Sequence, residues 1–312
     1  MARKMVVAAA QLGPIRRKEL RSQVVDRMIV LIEQAHALGG SFVVFPEMAL
    51  TTFFPRWLID DEDEIAGFFE RELPGPDTQP LFDAAAGLGV GFYLGFCEEV
   101  VEGGTRRRYN SSVLVDGLGS MIGKYRKVHL PGNATYDPSL RLQHLEPWYF
   151  EPGNLGFPVF EMLDARLGML ICNDRRWPEP YRVLGLQGVE LVCVGFNSPA
   201  ELPDHPLQNG LRTLHHLAPM QAGAYQNGTW IIASAKAGPE EGFDMMGHSC
   251  IVSPSGEVVA TSSTLGDELV PYEIDLDLTR EYKSFFDFAT YRRPECYGLI
   301  TERKEAGPPI GS

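Results

Sequence analysis

Short apolar runs recur along the chain, and several are separated by segments in which apolar residues follow a helical spacing. Apolar runs of about four to eight residues bounded by turn-forming residues are typical of β-strands. The predicted strands are 5–11, 42–45, 90–96, 111–115, 167–172, 191–195, 229–235, 248–252 and 269–274. The predicted helices are 24–36, 80–88, 180–187 and 211–226. Strands that alternate with helices in this way indicate a layered α/β protein.

Two turn signals interrupt this alternation. Residues 115–117 lead into a second run at 119–123, and residues 253–256 lead into another at 257–260. Pro and Gly at such positions supply the backbone angles that tight turns require. Strands joined by a tight turn run antiparallel, so mixed sheets are expected.

The chain shows no linker, internal repeat or low-complexity segment. We therefore expect a single domain over residues 1–312, with a tail at 302–312 that is mobile or docked on a partner subunit.

Composition narrows the class of protein. The chain has 312 residues, 44% of them apolar and 22% charged, as in an ordinary globular protein. Its net charge of −13 argues against general nucleic-acid binding, which needs a basic face. The apolar run at 5–10 is shorter than a secretory core of about 7–15 residues, and no run approaches the ~20 residues of a membrane span. Five cysteines without a CxxC pair predict a reducing, cytoplasmic location.

A cysteine at the end of an apolar run is the strongest indication of a reactive site. Residues 167–171 run into Cys172, and Pro178 favours a helix that begins shortly afterwards. A nucleophile at such a strand-to-helix turn can project from a sharp elbow. Nearby cations lower a thiol pKa, and Arg175 and Arg176 follow closely. A core cysteine at a strand end is the alternative that these residues leave open.

Two other strand ends carry charged residues. Glu47 follows the run at 42–45, in the region where α/β folds place their sites, and could act as a general base. Strand alternation puts Lys127 and His129 on one face, where a cation could stabilise an oxyanion. With Cys172 they would form a site for acyl transfer. A surface glutamate and an exposed charged strand are the corresponding alternatives.

Three extended motifs contain these residues: FPEMALT with Glu47, GKYRKVHLPG with Lys127 and ICNDRRWPE with Cys172. In this order they resemble the carbon–nitrogen hydrolase (nitrilase-like) superfamily, whose catalytic triad is Glu–Lys–Cys. The resemblance extends over nearly the whole chain, from residue 8 to residue 300. Further motifs resemble the branch that acts on N-carbamoyl-D-amino acids: LTTFFPRW, QHLE, YFEPG, MQAGAYQNG and GHSCIVSPSGE.

The resemblance implies a four-layer α-β-β-α sandwich, formed from two mixed sheets with helices outside. It also implies a homodimer or homotetramer and no metal or organic cofactor. It makes Cys172 the nucleophile and Glu47 the general acid and base. Lys127 and the backbone N–H of Asn173 would stabilise the oxyanion, and Glu146 would be a supporting carboxylate.

The resemblance further assigns residues around the substrate. Arg175 and Arg176 would hold a substrate carboxylate, which the planar fork of a guanidinium matches. Asn197 would contact the ureido or carboxylate group, and His129 and His144 would lie around the site. The segments 133–142 and 201–208 depart from the family pattern and could line the entrance.

The expected reaction is the hydrolysis of a small N-carbamoyl-D-amino acid to the D-amino acid, carbon dioxide and ammonia, through a covalent cysteine intermediate. A β-ureidopropionase or an aliphatic amidase remains an alternative, as does a noncatalytic binding or scaffold member of the fold. A metalloenzyme is disfavoured, because the adjacent His215 and His216 face different ways on a helix and no HExxH motif is present.

Overall fold

The computed structural model describes residues 2–306, which form fourteen strands and nine α-helices. The strands are β1 (Lys4–Gln11), β2 (Gly40–Val44), β3 (Gly91–Glu102), β4 (Thr105–Val115), β5 (Met121–Arg126), β6 (Val159–Met162), β7 (Ala165–Ile171), β8 (Leu191–Phe196), β9 (Trp230–Ala235), β10 (Ala237–Glu240), β11 (Phe243–Met246), β12 (Cys250–Val252), β13 (Val258–Thr261) and β14 (Glu268–Asp275). The helices are α1 (Arg21–Ala37), α2 (Glu62–Ala66), α3 (Gln79–Leu88), α4 (Glu146–Tyr149), α5 (Pro178–Leu186), α6 (Arg212–Asn227), α7 (Asp277–Phe286), α8 (Phe288–Tyr291) and α9 (Gly298–Glu302). Short 3₁₀ turns lie at Phe54–Arg56, Cys172–Arg176, Pro206–Leu211 and Pro294–Cys296.

The strands build two six-stranded sheets and one small hairpin, β10–β11. One sheet has the order β14-β1-β2-β3-β4-β5, and the other has the order β13-β12-β9-β8-β7-β6. The central strands β1–β3 and β7–β9 are parallel, whereas the outer strands pair antiparallel. The β4–β5 and β12–β13 hairpins match the two predicted turns, so the expectation of mixed sheets is confirmed.

Alternation along the strands divides the core into layers. Phe42 and Val44 of β2 pack in the core shared with the second sheet, while Val43 and Phe45 pack with the apolar faces of α1 and α3. Helices α5 and α6 cover the outer face of the second sheet. Because successive side chains of a strand point to opposite faces, one strand serves two layers. The result is the expected α-β-β-α sandwich.

Two glycines let a loop pass between the sheets at the level of the site. Gly95 of β3 and Gly195 of β8 flank the turn that carries Pro46 and Glu47. A Cβ on Gly95 would lie 2.5 Å from the Pro46 carbonyl oxygen, and a Cβ on Gly195 would lie 2.6 Å from the Glu47 nitrogen. No larger residue fits at either position without displacing the turn. The position of Glu47 is therefore fixed by backbone packing against both sheets.

The last described element is helix α9. Helix α9 ends at Glu302, and residues 307–312 of the predicted tail lie outside the described residues. The predicted domain boundary and the role of the tail therefore stay predictions. Between residues 2 and 306, no helix combines the length and the apolar character needed to cross a membrane.

Candidate active site

Three predicted residues meet at strand ends. Glu47, Lys127 and Cys172 come shortly after β2, β5 and β7, and all three are buried. Lys127 Nζ donates to Glu47 Oε1 at 2.7 Å. Cys172 Sγ donates to the carbonyl oxygen of Asn197 at 3.2 Å, and the backbone N–H of Asn197 donates to Glu47 Oε2 at 3.0 Å. The fold thus brings the thiol, the carboxylate and the ammonium group into one cluster.

Glu146 completes the charge distribution around Lys127. It is the first residue of α4, and its two carboxylate oxygens lie 2.8 and 2.6 Å from Lys127 Nζ. His144 Nε2 lies 3.0 Å from Glu146 Oε1. Burial alone would lower the pKa of Lys127, but Glu146 and Glu47 outweigh it and raise that pKa above its ordinary value. Burial would raise the pKa of Glu146, but Lys127 and His144 outweigh it and lower that pKa.

Cys172 occupies an unusual backbone position. Its φ of 46° lies in the left-handed region, which non-glycine residues rarely adopt, and it opens the 3₁₀ turn Cys172–Arg176. Arg175 Nη1 donates to the Cys172 carbonyl oxygen at 2.7 Å and lies 3.7 Å from Sγ. Backbone strain of this kind persists only where surrounding contacts enforce it, and it clusters at functional sites. The predicted elbow is therefore present, with a guanidinium group beneath it.

The expectation of a lowered thiol pKa is wrong. Complete burial, together with the charge of Glu47, raises the pKa of Cys172, and these effects outweigh Lys127 and Arg175. Local sequence shows the cations but not the burial. The resting residue is consequently a neutral thiol, which needs a base to become a nucleophile.

Asp174 organises the far side of the turn. Its Oδ2 accepts hydrogen bonds from the Tyr125 hydroxyl at 2.7 Å and from the backbone N–H of Ile171 at 3.1 Å. Its Oδ1 accepts one from the His129 backbone N–H at 3.0 Å and lies 2.7 Å from His129 Nδ1. Asn173 Nδ2 donates to the His129 carbonyl oxygen at 3.3 Å. His129 and Asn173 therefore lie beside the site as expected, tied to the turn that carries the cysteine.

The two predicted arginines differ in their surroundings. Arg175 is completely buried, and besides its contact with Cys172 it donates to Ser198 Oγ at 3.1 Å and lies 3.3 Å from His216 Nδ1. Arg176 is half-buried, and its one hydrogen bond within residues 2–306 goes to the His215 carbonyl oxygen at 3.4 Å. Burial and the charge of Arg175 lower the pKa of Arg176 to about 10.

Asn197 is engaged by the protein at each of its polar groups. Its Nδ2 donates to the Glu47 carbonyl oxygen at 2.7 Å, and its Oδ1 accepts from the Lys236 backbone N–H at 3.3 Å. Together with the bonds from its backbone to Cys172 and Glu47, these contacts make it a positioning residue. Its predicted contact with substrate stays a prediction.

Sequence reasoning missed two residues that contact this machinery. Asn110 of β4 donates to Glu47 Oε1 at 2.8 Å, and Asp174 anchors the cysteine turn as described. A buried asparagine inside a strand is a usable signal, because a buried amide needs a partner. Asp174 lies within the motif of Cys172, next to the two arginines, and the motif alone gives no sign that this carboxylate anchors the turn.

A cleft with apolar walls leads to the cluster. It is lined by Phe53, Arg56, Leu142, Gln143, His144, Asn197, Pro199, Phe243 and Met245. The two segments that depart from the family pattern meet here, because Asp204 accepts hydrogen bonds from the backbone N–H groups of Arg141 and Leu142, both at 3.0 Å. Within the described part of the chain, no group of three or more His, Cys, Asp or Glu side chains is arranged to hold a metal ion.

A two-sheet sandwich that gathers a buried thiol, a carboxylate and a lysine at its strand ends defines a class: hydrolases with a cysteine nucleophile. The chain belongs to the carbon-nitrogen hydrolase family, whose model matches residues 6–284. It is a hydrolase of carbon–nitrogen bonds.

Curated relatives agree with this assignment, and a solved structure shares the fold. The chain is similar to an N-carbamoylputrescine amidase of Arabidopsis thaliana, with 29% identity over 282 residues that cover 86% of this chain and 87% of the relative. It is also similar to a nitrilase of Pyrococcus abyssi, with 31% identity over 271 residues that cover 86% and 90%. A carbon-nitrogen hydrolase from Helicobacter pylori G27 shares the fold, with a TM-score of 0.82, 23% identity and coverage of 97% and 99%.

Proposed function

We propose that the protein hydrolyses N-carbamoyl-D-amino acids to D-amino acids, carbon dioxide and ammonia. The observation that carries this proposal is the cationic charge beside the nucleophile. Within residues 2–306, Arg175 and Arg176 make hydrogen bonds to carbonyl, hydroxyl and imidazole groups and none to a carboxylate. Guanidinium groups that are largely removed from water without a counter-ion favour an anionic ligand. A substrate carboxylate supplies that charge.

In this mechanism Glu47 takes the proton of the Cys172 thiol, and Sγ attacks the ureido carbonyl carbon. Lys127 and the backbone N–H of Asn173 stabilise the oxyanion of the tetrahedral intermediate. Glu47 returns the proton to the departing nitrogen, which leaves as ammonia, and a thiocarbamate remains on Cys172. Water activated by Glu47 then releases the N-carboxy amino acid, which decomposes to carbon dioxide and the amino acid. Glu146 keeps Lys127 charged throughout.

The substrate is held at both ends in this proposal. Arg176 contacts the carboxylate, and Arg175 adds its charge from beneath the cysteine. His129 and His144 border the ureido group from the two sides of the site. The walls formed by Phe53 and Leu142 favour an apolar side chain. N-carbamoyl-D-phenylalanine is therefore a suitable first substrate.

The N-carbamoylputrescine amidases among the relatives provide the second candidate function. Putrescine is a diamine, so its carbamoyl derivative carries an ammonium group at neutral pH. Arg175 and Arg176 would repel that group, which favours an N-carbamoyl amino acid instead.

We further propose that the enzyme is cytoplasmic and forms a homodimer or homotetramer.

A substrate panel tests the proposal. The purified chain is assayed for ammonia release from the N-carbamoyl derivatives of D-phenylalanine, L-phenylalanine, β-alanine and putrescine, and from a simple aliphatic amide. We expect the highest kcat/KM for the D-phenylalanine derivative. A higher value for N-carbamoylputrescine, N-carbamoyl-β-alanine or the aliphatic amide would replace the proposed substrate, and no hydrolysis of any compound would support a noncatalytic role.

A further inference from the structure

A third arginine stands beside the two that sequence reasoning selected. Arg212 is the first residue of α6, and this helix packs against the 3₁₀ turn Cys172–Arg176. Arg176 donates to the carbonyl oxygen of His215, and Arg175 lies against the ring of His216. Residues three and four positions after Arg212 share its helix face. The three guanidinium groups are therefore gathered where α6 meets the turn of the nucleophile.

Arg212 is buried without a counter-ion. It is 8% exposed, and its Nη2 donates to the carbonyl oxygen of Pro199 at 2.8 Å. Its Nε is buried and has no hydrogen-bond partner, and no carboxylate within residues 2–306 pairs with its guanidinium group. A buried donor left unpaired costs free energy, and a buried cation without a partner costs more. A ligand that supplies acceptor oxygens would remove both costs.

Arg212 also adjoins the cleft. Pro199, the residue to which it donates, lines the cleft together with Asn197. Arg175 has already committed N–H groups to Cys172 and Ser198. Besides the buried Nε of Arg175, which also has no hydrogen-bond partner, the donors that remain for an incoming anion are those of Arg176 and Arg212. Burial and the neighbouring charge of Arg175 both lower the pKa of Arg212, as expected for a cation that lacks an anion.

We propose that Arg212 is a specificity-determining residue, which with Arg176 forms the subsite for the substrate carboxylate, while Arg175 positions Cys172. This inference rests on the proposed function for the identity of the anion. The anion is a carboxylate attached to the carbon next to the ureido nitrogen, since the subsite adjoins the nucleophile.

A pair of matched substrates tests this role. Wild type and Arg212→Gln are compared on N-carbamoyl-D-phenylalanine and on its carboxamide, which lacks the negative charge. Glutamine keeps an N–H donor at this position but removes the charge. We expect KM for the acid to rise about tenfold with kcat little changed, and KM for the carboxamide to stay constant. Equal changes for both substrates, or no change for the acid, would overturn the proposal.

A second readout does not depend on the substrate. Iodoacetate and iodoacetamide both alkylate a thiolate and release iodide, but only iodoacetate is anionic. We expect Arg212→Gln to lower the ratio of iodoacetate to iodoacetamide inactivation rates at Cys172 by about tenfold. Arg280→Gln is the control, because Arg280 is exposed on α7 and should leave the ratio unchanged.

The two readouts separate the two proposals. If wild type hydrolyses neither N-carbamoyl compound but Arg212→Gln lowers the alkylation ratio, the proposed substrate is wrong and the anion subsite stands. If Arg212→Gln leaves the ratio unchanged while its unfolding midpoint matches wild type, the subsite is wrong. Should Arg212→Gln fail to fold, Arg212→Lys takes its place, because lysine keeps the charge but lacks the planar guanidinium group. An alkylation ratio near that of wild type together with a raised KM for the acid would support the subsite. An unchanged KM for the acid would contradict it.

Discussion

Asn197 holds Glu47 at two points: its backbone N–H binds the carboxylate at Oε2, and its side-chain amide binds the Glu47 carbonyl oxygen. The carbonyl oxygen of Asn197 also accepts a hydrogen bond from the Cys172 thiol. One residue therefore contacts both the Glu47 carboxylate and the Cys172 thiol, although it belongs to a strand end of the second sheet while Glu47 follows a strand of the first. Proton transfer between the two depends on how closely the sheets are held together.

The glycines between the sheets provide the first prediction. In Gly195→Ala, the new Cβ would lie 2.6 Å from the Glu47 nitrogen, so the turn must move. A displacement of this kind should lower kcat by roughly 10²-fold, because catalytic groups tolerate little misplacement. Steady-state kinetics with N-carbamoyl-D-phenylalanine measures the effect.

Gly87→Ala is the matched control. Gly87 lies in α3 with no atom within 4 Å of a Cβ, so alanine should stabilise the helix by roughly 0.5–1 kcal/mol without changing kcat. An active Gly195→Ala enzyme would show that Glu47 is not fixed by this packing.

The buried ammonium of Lys127 yields the second prediction. Lys127→Met leaves the carboxylates of Glu47 and Glu146 buried without their cation. Such a change should abolish turnover and lower the free energy of unfolding by roughly 3–5 kcal/mol, measured by urea titration. Lys124→Met is the comparison, because this half-exposed lysine pairs with Glu98 and should cost about 1 kcal/mol or less. Equal losses for both variants would contradict the account of the buried charges.

The third prediction concerns the protonation of the nucleophile. Because burial and Glu47 raise the pKa of Cys172 above its ordinary value of 9.0, the resting enzyme should hold a neutral thiol at pH 7. The ultraviolet thiolate absorbance of wild type minus that of Cys172→Ser should be zero at pH 7 and appear only as the pH rises beyond 9. A thiolate signal at or below pH 7 would mean that the charges of Lys127 and Arg175 outweigh burial and lower the pKa of Cys172.

The fourth prediction concerns the entrance. Asp204→Ala removes the hydrogen bonds that join the segment 201–208 to Arg141 and Leu142. We expect a higher KM for N-carbamoyl-D-phenylalanine, an unchanged kcat and a nearly unchanged melting temperature, because Asp204 is only partly buried. These backbone N–H groups lower the pKa of Asp204, so the link persists as the pH falls through the ordinary carboxyl range.

Asp137→Ala serves as the control for Asp204→Ala. The Asp137 carboxylate binds Ser139 within the segment 133–142, so its loss leaves the link to the segment 201–208 in place. If both variants change KM equally, the link between the loops has no part in binding substrate.

Local patterns predict the fold well and the site in part. Continuous apolar runs located strands such as β1 and β8, because both faces of each strand are buried. Helix α1 begins at Arg21, three residues before the predicted start, because the side chain of Gln23 accepts the Leu20 backbone N–H, a polar cap that apolar spacing does not reveal. The close approach that Gly195 permits depends on the distance between sheets, which sequence spacing does not encode.

The charged residues show the same limit. Arg175 and Arg176 stand next to the nucleophile in sequence and were found through their motif. Arg212 lies within the predicted helix 211–226, an aromatic and Leu-rich stretch that could be either core or dimer interface. Its proposed role depends on the packing of α6 against the cysteine turn, which sequence spacing does not encode. The direction of the Cys172 pKa shift was missed for a related reason, because burial is a property of the folded chain.

The most direct test of the account is the kcat/KM for N-carbamoyl-D-phenylalanine, measured side by side for wild type, Cys172→Ser and Cys193→Ser. Cys193 is the matched control, as a buried thiol on the adjacent strand β8. We expect Cys172→Ser to lose roughly 10⁴-fold or more and Cys193→Ser to stay close to wild type. Turnover by Cys172→Ser within tenfold of the wild-type value would contradict the assignment of Cys172 as the nucleophile.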